Sequence, residues 1–159
     1  MWYPRRVPAQ PFTATLRRVW AADLTPQQLY AVLRLRVEVF VVEQSCAYRE
    51  LDGLDLAPGT RHFWLEQERT GDVVAYLRLT EDAGEYRIGR VCTARQARAH
   101  GFSRRLMEAA LAEVGDASCV LDAQTYVSDF YASLGFQAVG GEFLEDGIPH
   151  VSMRRPATR

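Results

Sequence analysis

The spacing of apolar residues changes period several times along the chain, and each change predicts a new element. Phe12 to Trp20 is rich in aromatic and β-branched residues and reads as a first strand. A helix start follows: Thr25 as N-cap, Pro26 at the first helical position and Gln28 three residues past the cap. Leu29, Val32, Leu33, Val37 and Phe40 then recur at helical spacing, which ends that helix near Val39-Phe40. Residues 49–60 lose the pattern and read as a loop, in which Asp52 and Asp55 are expected to be solvated turn formers; their spacing does not fit a calcium loop.

Three strand-like runs come next, at Arg61 to Glu68, Val73 to Leu79 and Glu85 to Thr93, separated by short Gly-containing turns. Leu106, Met107, Ala110, Leu111 and Val114 form a helical stripe that Gly115 stops. Ser118 to Ala123 is a short apolar run, as expected of a buried parallel strand. Ser128 is expected to cap a short helix holding Phe130, Tyr131 and Leu134, ended by Gly135. Phe136 to Phe143 and His150 to Arg154 read as two last strands around the turn Glu145 to Pro149. This order predicts an α/β (α+β) fold with a mixed sheet and helices on both faces.

Composition narrows the class. The 159 residues carry a net charge of −1, with 48% hydrophobic and 25% charged residues. That balance speaks against a nucleic-acid or membrane-surface partner. No apolar run nears the ~20 residues of a membrane span. Cys46, Cys92 and Cys119 show no CxxC spacing and read as reduced, packed thiols, so a cytoplasmic protein is expected. Three prolines in the first eleven residues suggest an extended leader at 1–11, followed by one domain over 12–155 and a tail at 156–159. The histidines have no metal-ligand spacing, so no metal is expected, and His62 reads as a packed histidine.

The chemistry concentrates at Arg98-Ala99-His100-Gly101-Phe102-Ser103, between a strand and a helix. Such a junction aims unpaired helix N–H groups at one point, and Arg98, Arg104 and Arg105 surround it with positive charge. It suits a phosphate. There is no Gly-Lys-Ser/Thr and no GxGxxG, so neither a triphosphatase nor a dinucleotide fold is expected.

A second stretch, Phe130-Tyr131-Ala132-Ser133-Leu134-Gly135-Phe136, lies one helix and one strand later. Together the two resemble the GCN5-related N-acetyltransferases. The family's phosphate loop, Gln/Arg-x-x-Gly-x-Gly/Ala, is met by Arg98, Gly101 and, with a substitution, Ser103; its Phe-Tyr-x-x-x-Gly-Phe motif is met in full. Leu33 to Gln44, Leu51 to Asp55 and Glu145 to His150 resemble the ElaA branch.

The resemblance implies a splayed sheet of about seven strands with about four helices. It implies acetyl-CoA as co-substrate and direct transfer to a primary amine, in a monomer or homodimer. Backbone groups at Val91, Cys92 and Thr93 would pair with pantetheine beside a bulge. Amides of Ala99, His100, Gly101, Phe102, Ser103 and Arg104 would hold the pyrophosphate. Ala99 stands where glycine is common, which asks for ordinary backbone angles there.

Tyr131 sits at the family's general-acid position, and a phenol of pKa about 10 can protonate a thiolate whose acid lies near 8.5. Glu43, flanked by Val41-Val42, is a general-base candidate with an expected raised pKa, and His150 is the next. Arg36, Glu43, Gln44, Asp146 and His150 would build the acceptor site, whose acids favour a cationic amine. Transfer of longer acyl chains, as in acyl-homoserine-lactone synthases, and a non-catalytic acyl-CoA-binding module are the alternatives.

Overall fold

A computed structural model describes residues 11–158. All but Pro11 of the expected leader therefore lies outside the described residues. The order is β1 (Ala14–Trp20), α1 (Pro26–Val37), β2 (Arg61–Gln67), β3 (Val73–Asp82), β4 (Glu85–Thr93), α2 (Phe102–Val114), β5 (Cys119–Gln124), α3 (Ser128–Ala132), β6 (Gln137–Ala138), β7 (Phe143–Glu145) and β8 (Ile148–Arg155). The strands form one mixed sheet, ordered β1-β2-β3-β4-β5-β8-β6, with β7 also on β8. Among the described residues, eight strands and three α-helices thus stand where about seven and about four were expected. The extra strand arises because the run from Phe136 breaks at Val139-Gly140-Gly141 into β6 and β7.

Local chemistry accounts for several boundaries. Thr25 accepts from the Gln28 amide and Gln28 reaches back to the Thr25 amide, so both orphan donors are met and α1 starts where its capping box lies. Gly115, at φ 62°, ends α2. The Ala83-Gly84 and Asp146-Gly147 turns have positive φ at both residues, which matches the twist of the hairpins they close. Ser128 differs from expectation: it is the first residue of α3, Val127 holds the cap position, and no side chain caps the helix.

Residues 74–79 of β3 are all buried, so both faces of the sheet are covered. Arg61 on β2 pairs with Glu113 of α2, while the Arg36 guanidinium of α1 lies over the Tyr76 ring. From Arg61 to Leu65 and from Ala75 to Leu79, odd-numbered residues therefore face α2 and even-numbered ones face α1. The core is filled by residues such as Leu65, Leu77, Leu79, Leu106 and Met107, each fully shielded from solvent. Among the described residues no helix is long and apolar enough to cross a membrane.

Candidate active site

β4 and β5 pair only at Tyr86↔Cys119 and Arg87↔Val120, and then part. Among the described residues, no strand pairs with the β5-facing edge of β4 beyond Arg87. On its other edge, Tyr76 opposes Cys92 and Arg78 opposes Gly89, so Arg90 and Val91 together face Leu77 in a β-bulge. Arg90 takes a left-handed φ of 55° there. The extra residue shifts the alternation by one, so Ile88 faces α2 and Cys92 faces α1. The expected bulge is present and lies where the strands diverge.

This divergence opens a cleft of about 1270 Å³. Val91, Cys92, Thr93, Arg98, Ala99, Gly101, Phe102, Ser103 and Arg104 line it, as do Glu43, Gln44, Tyr131, Asp146 and His150. Arg36 and His100 are the predicted site residues that do not. The His100 ring is exposed, packs on Phe12 and Phe102 and bonds the carbonyls of Ala97 and Arg98.

The loop into α2 departs from expectation at Ala99. Its φ is 64°, the left-handed geometry that glycine adopts freely, and not an ordinary one. Gly101 at φ 73° is the N-cap. A Cβ there would meet nothing within 4 Å, so what this position demands is the backbone angle. Ser103 Oγ lies 2.8 Å from Thr93 Oγ1, tying the first turn of α2 to the end of β4. Arg104 crosses to α3, donating to Ser133 Oγ at 2.7 Å with its guanidinium over the Phe130 ring. Arg105 turns away and donates to the Ala14 carbonyl.

Glu43 ends a π-helical stretch, Glu38–Glu43, that continues α1 past its expected end. Its carboxylate takes both Nη groups of Arg98, at 2.5 and 2.6 Å. The hydrogen bonds from Arg98 hold its carboxyl below the usual carboxylate range, which reverses the expected raised value. A charge partner fifty-five residues along the chain outweighs the apolar neighbours in sequence.

Tyr131 is only 8% exposed, and Phe130 and Phe136 meet its ring edge-on. Burial pushes its phenol pKa up, so it stays protonated. His150 donates from Nδ1 to the Ile148 carbonyl at 2.7 Å, which leaves Nε2 as the acceptor nitrogen in the neutral ring; Glu145 lies 3.8 Å from it. Gln124 stands opposite His150 in the β5–β8 ladder, and its amide exchanges long hydrogen bonds with that of Gln44.

Arg36 is a correction. It is completely buried and bonds Glu50 at 2.6 Å and Asp55 at 2.5 Å, so it cannot touch an acceptor. Asp55 is a correction as well, since it is buried and held by arginines, whereas Asp52 is exposed and forms the expected turn through the Leu54 amide while also bonding arginines. Arg78 bonds both, and Arg90 reaches Asp52 and the Glu50 carbonyl. Burial opposes ionisation of Asp52, yet Arg78 and the Leu54 amide bring its pKa down to about 2. His62 is packed as expected, accepting from Tyr76 at 2.6 Å and donating to the Asp55 carbonyl at 2.8 Å. This network roots residues 50–55 beneath the bulge.

Sequence reasoning missed Tyr48, Arg90, Gln124 and Tyr126, which also line the cleft. The one available signal was the position of Arg90, one residue before Val91. Among the described residues no cluster of His, Cys, Asp or Glu could hold a metal.

The left-handed loop before α2, the parted parallel strands and Tyr131 thus border one cleft. Residues 20–156 match the acetyltransferase (GNAT) domain, and the chain belongs to this family. Within it the chain is ElaA-like. It is 59% identical over 150 residues to a UPF0039 protein of Mycobacterium tuberculosis, covering 92% of this chain and 96% of that one. It is 38% identical over 143 residues to ElaA of Escherichia coli, covering 84% and 91%. An acyl-CoA N-acyltransferase structure from Pseudomonas aeruginosa superposes with a TM-score of 0.84 at 42% identity, over 90% of this chain and 99% of that one. The crystal structure of Escherichia coli ElaA gives 0.82 at 35%, with the same coverage.

Proposed function

We propose that this chain is an N-acetyltransferase that moves an acetyl group from acetyl-CoA directly to a primary amine of a small molecule, peptide or lysine. The observation that carries this reading is the parting of β4 from β5 after Arg87↔Val120, with the bulge on one wall and Tyr131 lining the same cleft. The residues present fit the co-substrate: the loop of Ala99 and Gly101 presents the start of α2 to a pyrophosphate, and the unpaired β4 edge suits an amide-bearing arm. Acetyl-CoA supplies an activated thioester.

The Val91 backbone amide polarises the thioester carbonyl, an oxyanion-type contact. His150 Nε2 takes the proton that an ammonium acceptor must lose before it attacks. Its Nδ1–H is committed to Ile148, so this tautomer is the one available. Tyr131 gives its proton to the departing thiolate, and burial keeps that proton on the phenol until then. Glu43, held ionised by Arg98, is a weak base and serves better as a charge facing a cationic acceptor. Gln44 and Asp146 complete the acceptor wall.

The test is a panel of amines with acetyl-CoA and detection of free thiol. Amine-dependent thiol release is expected. Tight CoA binding with no release for any amine would replace catalysis with binding alone. A preference for longer acyl-CoAs would correct the donor.

A further inference from the structure

Arg98 opens the loop before α2 and turns the Nη edge of its guanidinium to Glu43. Nη1 meets Glu43 Oε1 at 2.5 Å and Nη2 meets Oε2 at 2.6 Å, a bidentate pair. Nε and Nη2 also donate to the Thr93 carbonyl, each at 3.2 Å, which fixes the fork in place. Arg95 Nε stands 3.7 Å from the same carboxylate. The pair joins the end of the first helical segment to the start of the phosphate loop, and both residues line the cleft.

A carboxylate and a phosphate present the same two-oxygen edge to a guanidinium. With Nε and Nη2 also donating to Thr93, only one Nη1 hydrogen is left over, so the fork cannot form a second bidentate pair while it holds Glu43. We propose that Glu43 is an internal competing anion on Arg98, which lowers the affinity of the loop for phosphate and so sets the strength of CoA binding. This rests on reading Arg98 to Ser103 as a pyrophosphate loop. A phosphate that takes the fork leaves the Glu43 carboxylate beside Gln44, free to meet a cationic acceptor. Glu43 is thus a specificity-determining residue on the donor side.

Calorimetric titration of the full chain with CoA, and separately with inorganic pyrophosphate, tests it in wild type, Glu43→Gln, Arg98→Gln and the double variant. Thermal melts check that each variant folds. Glu43→Gln is expected to bind both anions roughly two- to five-fold more tightly, the range of a partly exposed ion pair. That gain should vanish in the Arg98→Gln background. Unchanged or weaker binding by Glu43→Gln overturns the proposal, as does an equal gain without Arg98. If wild type ignores CoA but the pyrophosphate response of Glu43→Gln holds, the CoA reading fails and the competition stands. If CoA binds and Glu43→Gln changes nothing, only the competition fails.

Discussion

Thr93 Oγ1 and Ser103 Oγ lie 2.8 Å apart, and this contact joins the last residue of β4 to the first turn of α2. It sets the parted strand against the loop that opens α2. Ser103 therefore does more than replace a small residue, because its hydroxyl is committed to Thr93. Ser103→Ala removes one partly buried hydrogen bond, with a net worth of about 1 kcal/mol. The expected result is a KM for acetyl-CoA raised about two- to five-fold with kcat unchanged. Steady-state kinetics check this; a drop in kcat alone would place Ser103 in the chemical step.

Tyr131→Phe keeps the ring contacts with Phe130 and Phe136 and removes only the hydroxyl. A lost general acid costs ~10²-fold or more in kcat. CoA affinity by calorimetry should stay within about twofold, because the ring packing survives. Turnover equal to wild type would remove Tyr131 from the chemistry.

His150→Gln retains a polar side chain on β8 but lacks the ring nitrogen that would take the acceptor's proton. kcat is expected to fall ~10²-fold while CoA affinity stays within about twofold. Turnover equal to wild type would remove His150 from the chemistry.

Arg36→Met leaves Glu50 and Asp55 buried beside a neutral side chain. Breaking a buried pair from one side costs about 3–5 kcal/mol, read as a lowered urea midpoint. A loss below about 1 kcal/mol would mean that Arg78 and Arg90 compensate.

Asp52 gives a pH prediction with a definite sign. Its folded pKa of about 2 lies below the unfolded value near 3.9, so its stabilisation is fully present above about pH 4. It is lost as pH falls from there through about 2. Asp55 is shifted the same way. Asp52→Asn should flatten the acid limb of a stability curve followed by circular dichroism while changing little of its shape above pH 6.

Much of the architecture was legible where a residue's own chemistry decides the backbone. Thr25, Pro26 and Gln28 mark the start of α1 by satisfying orphan amides locally. Gly115 marks the end of α2, and Asp146-Gly147 marks a hairpin. The loop from Arg98 and the Phe130 to Phe136 motif gave up the family because short spacing is preserved in sequence. The π-helical extension through Glu43 was not legible, since Val39 to Val42 reads equally as a helix end. Nor was the left-handed Ala99, which runs against alanine's own preference.

By itself the sequence determined most of the element order, the strand-loop-helix junction at Arg98 to Ser103 and the capped start of α1, which depend on periodicity and on neighbours a few residues away. The expected bulge near Val91 and the place of Tyr131 came from the resemblance of two short motifs to a known family. Only the tertiary structure decided the fates of the charges. Arg36 meets Glu50 and Asp55 inside the protein, and Glu43 meets Arg98 across the cleft. Whether a charge is buried, paired or free depends on partners brought close by the sheet. Coulomb energy and desolvation follow distance in space, whatever the distance along the chain.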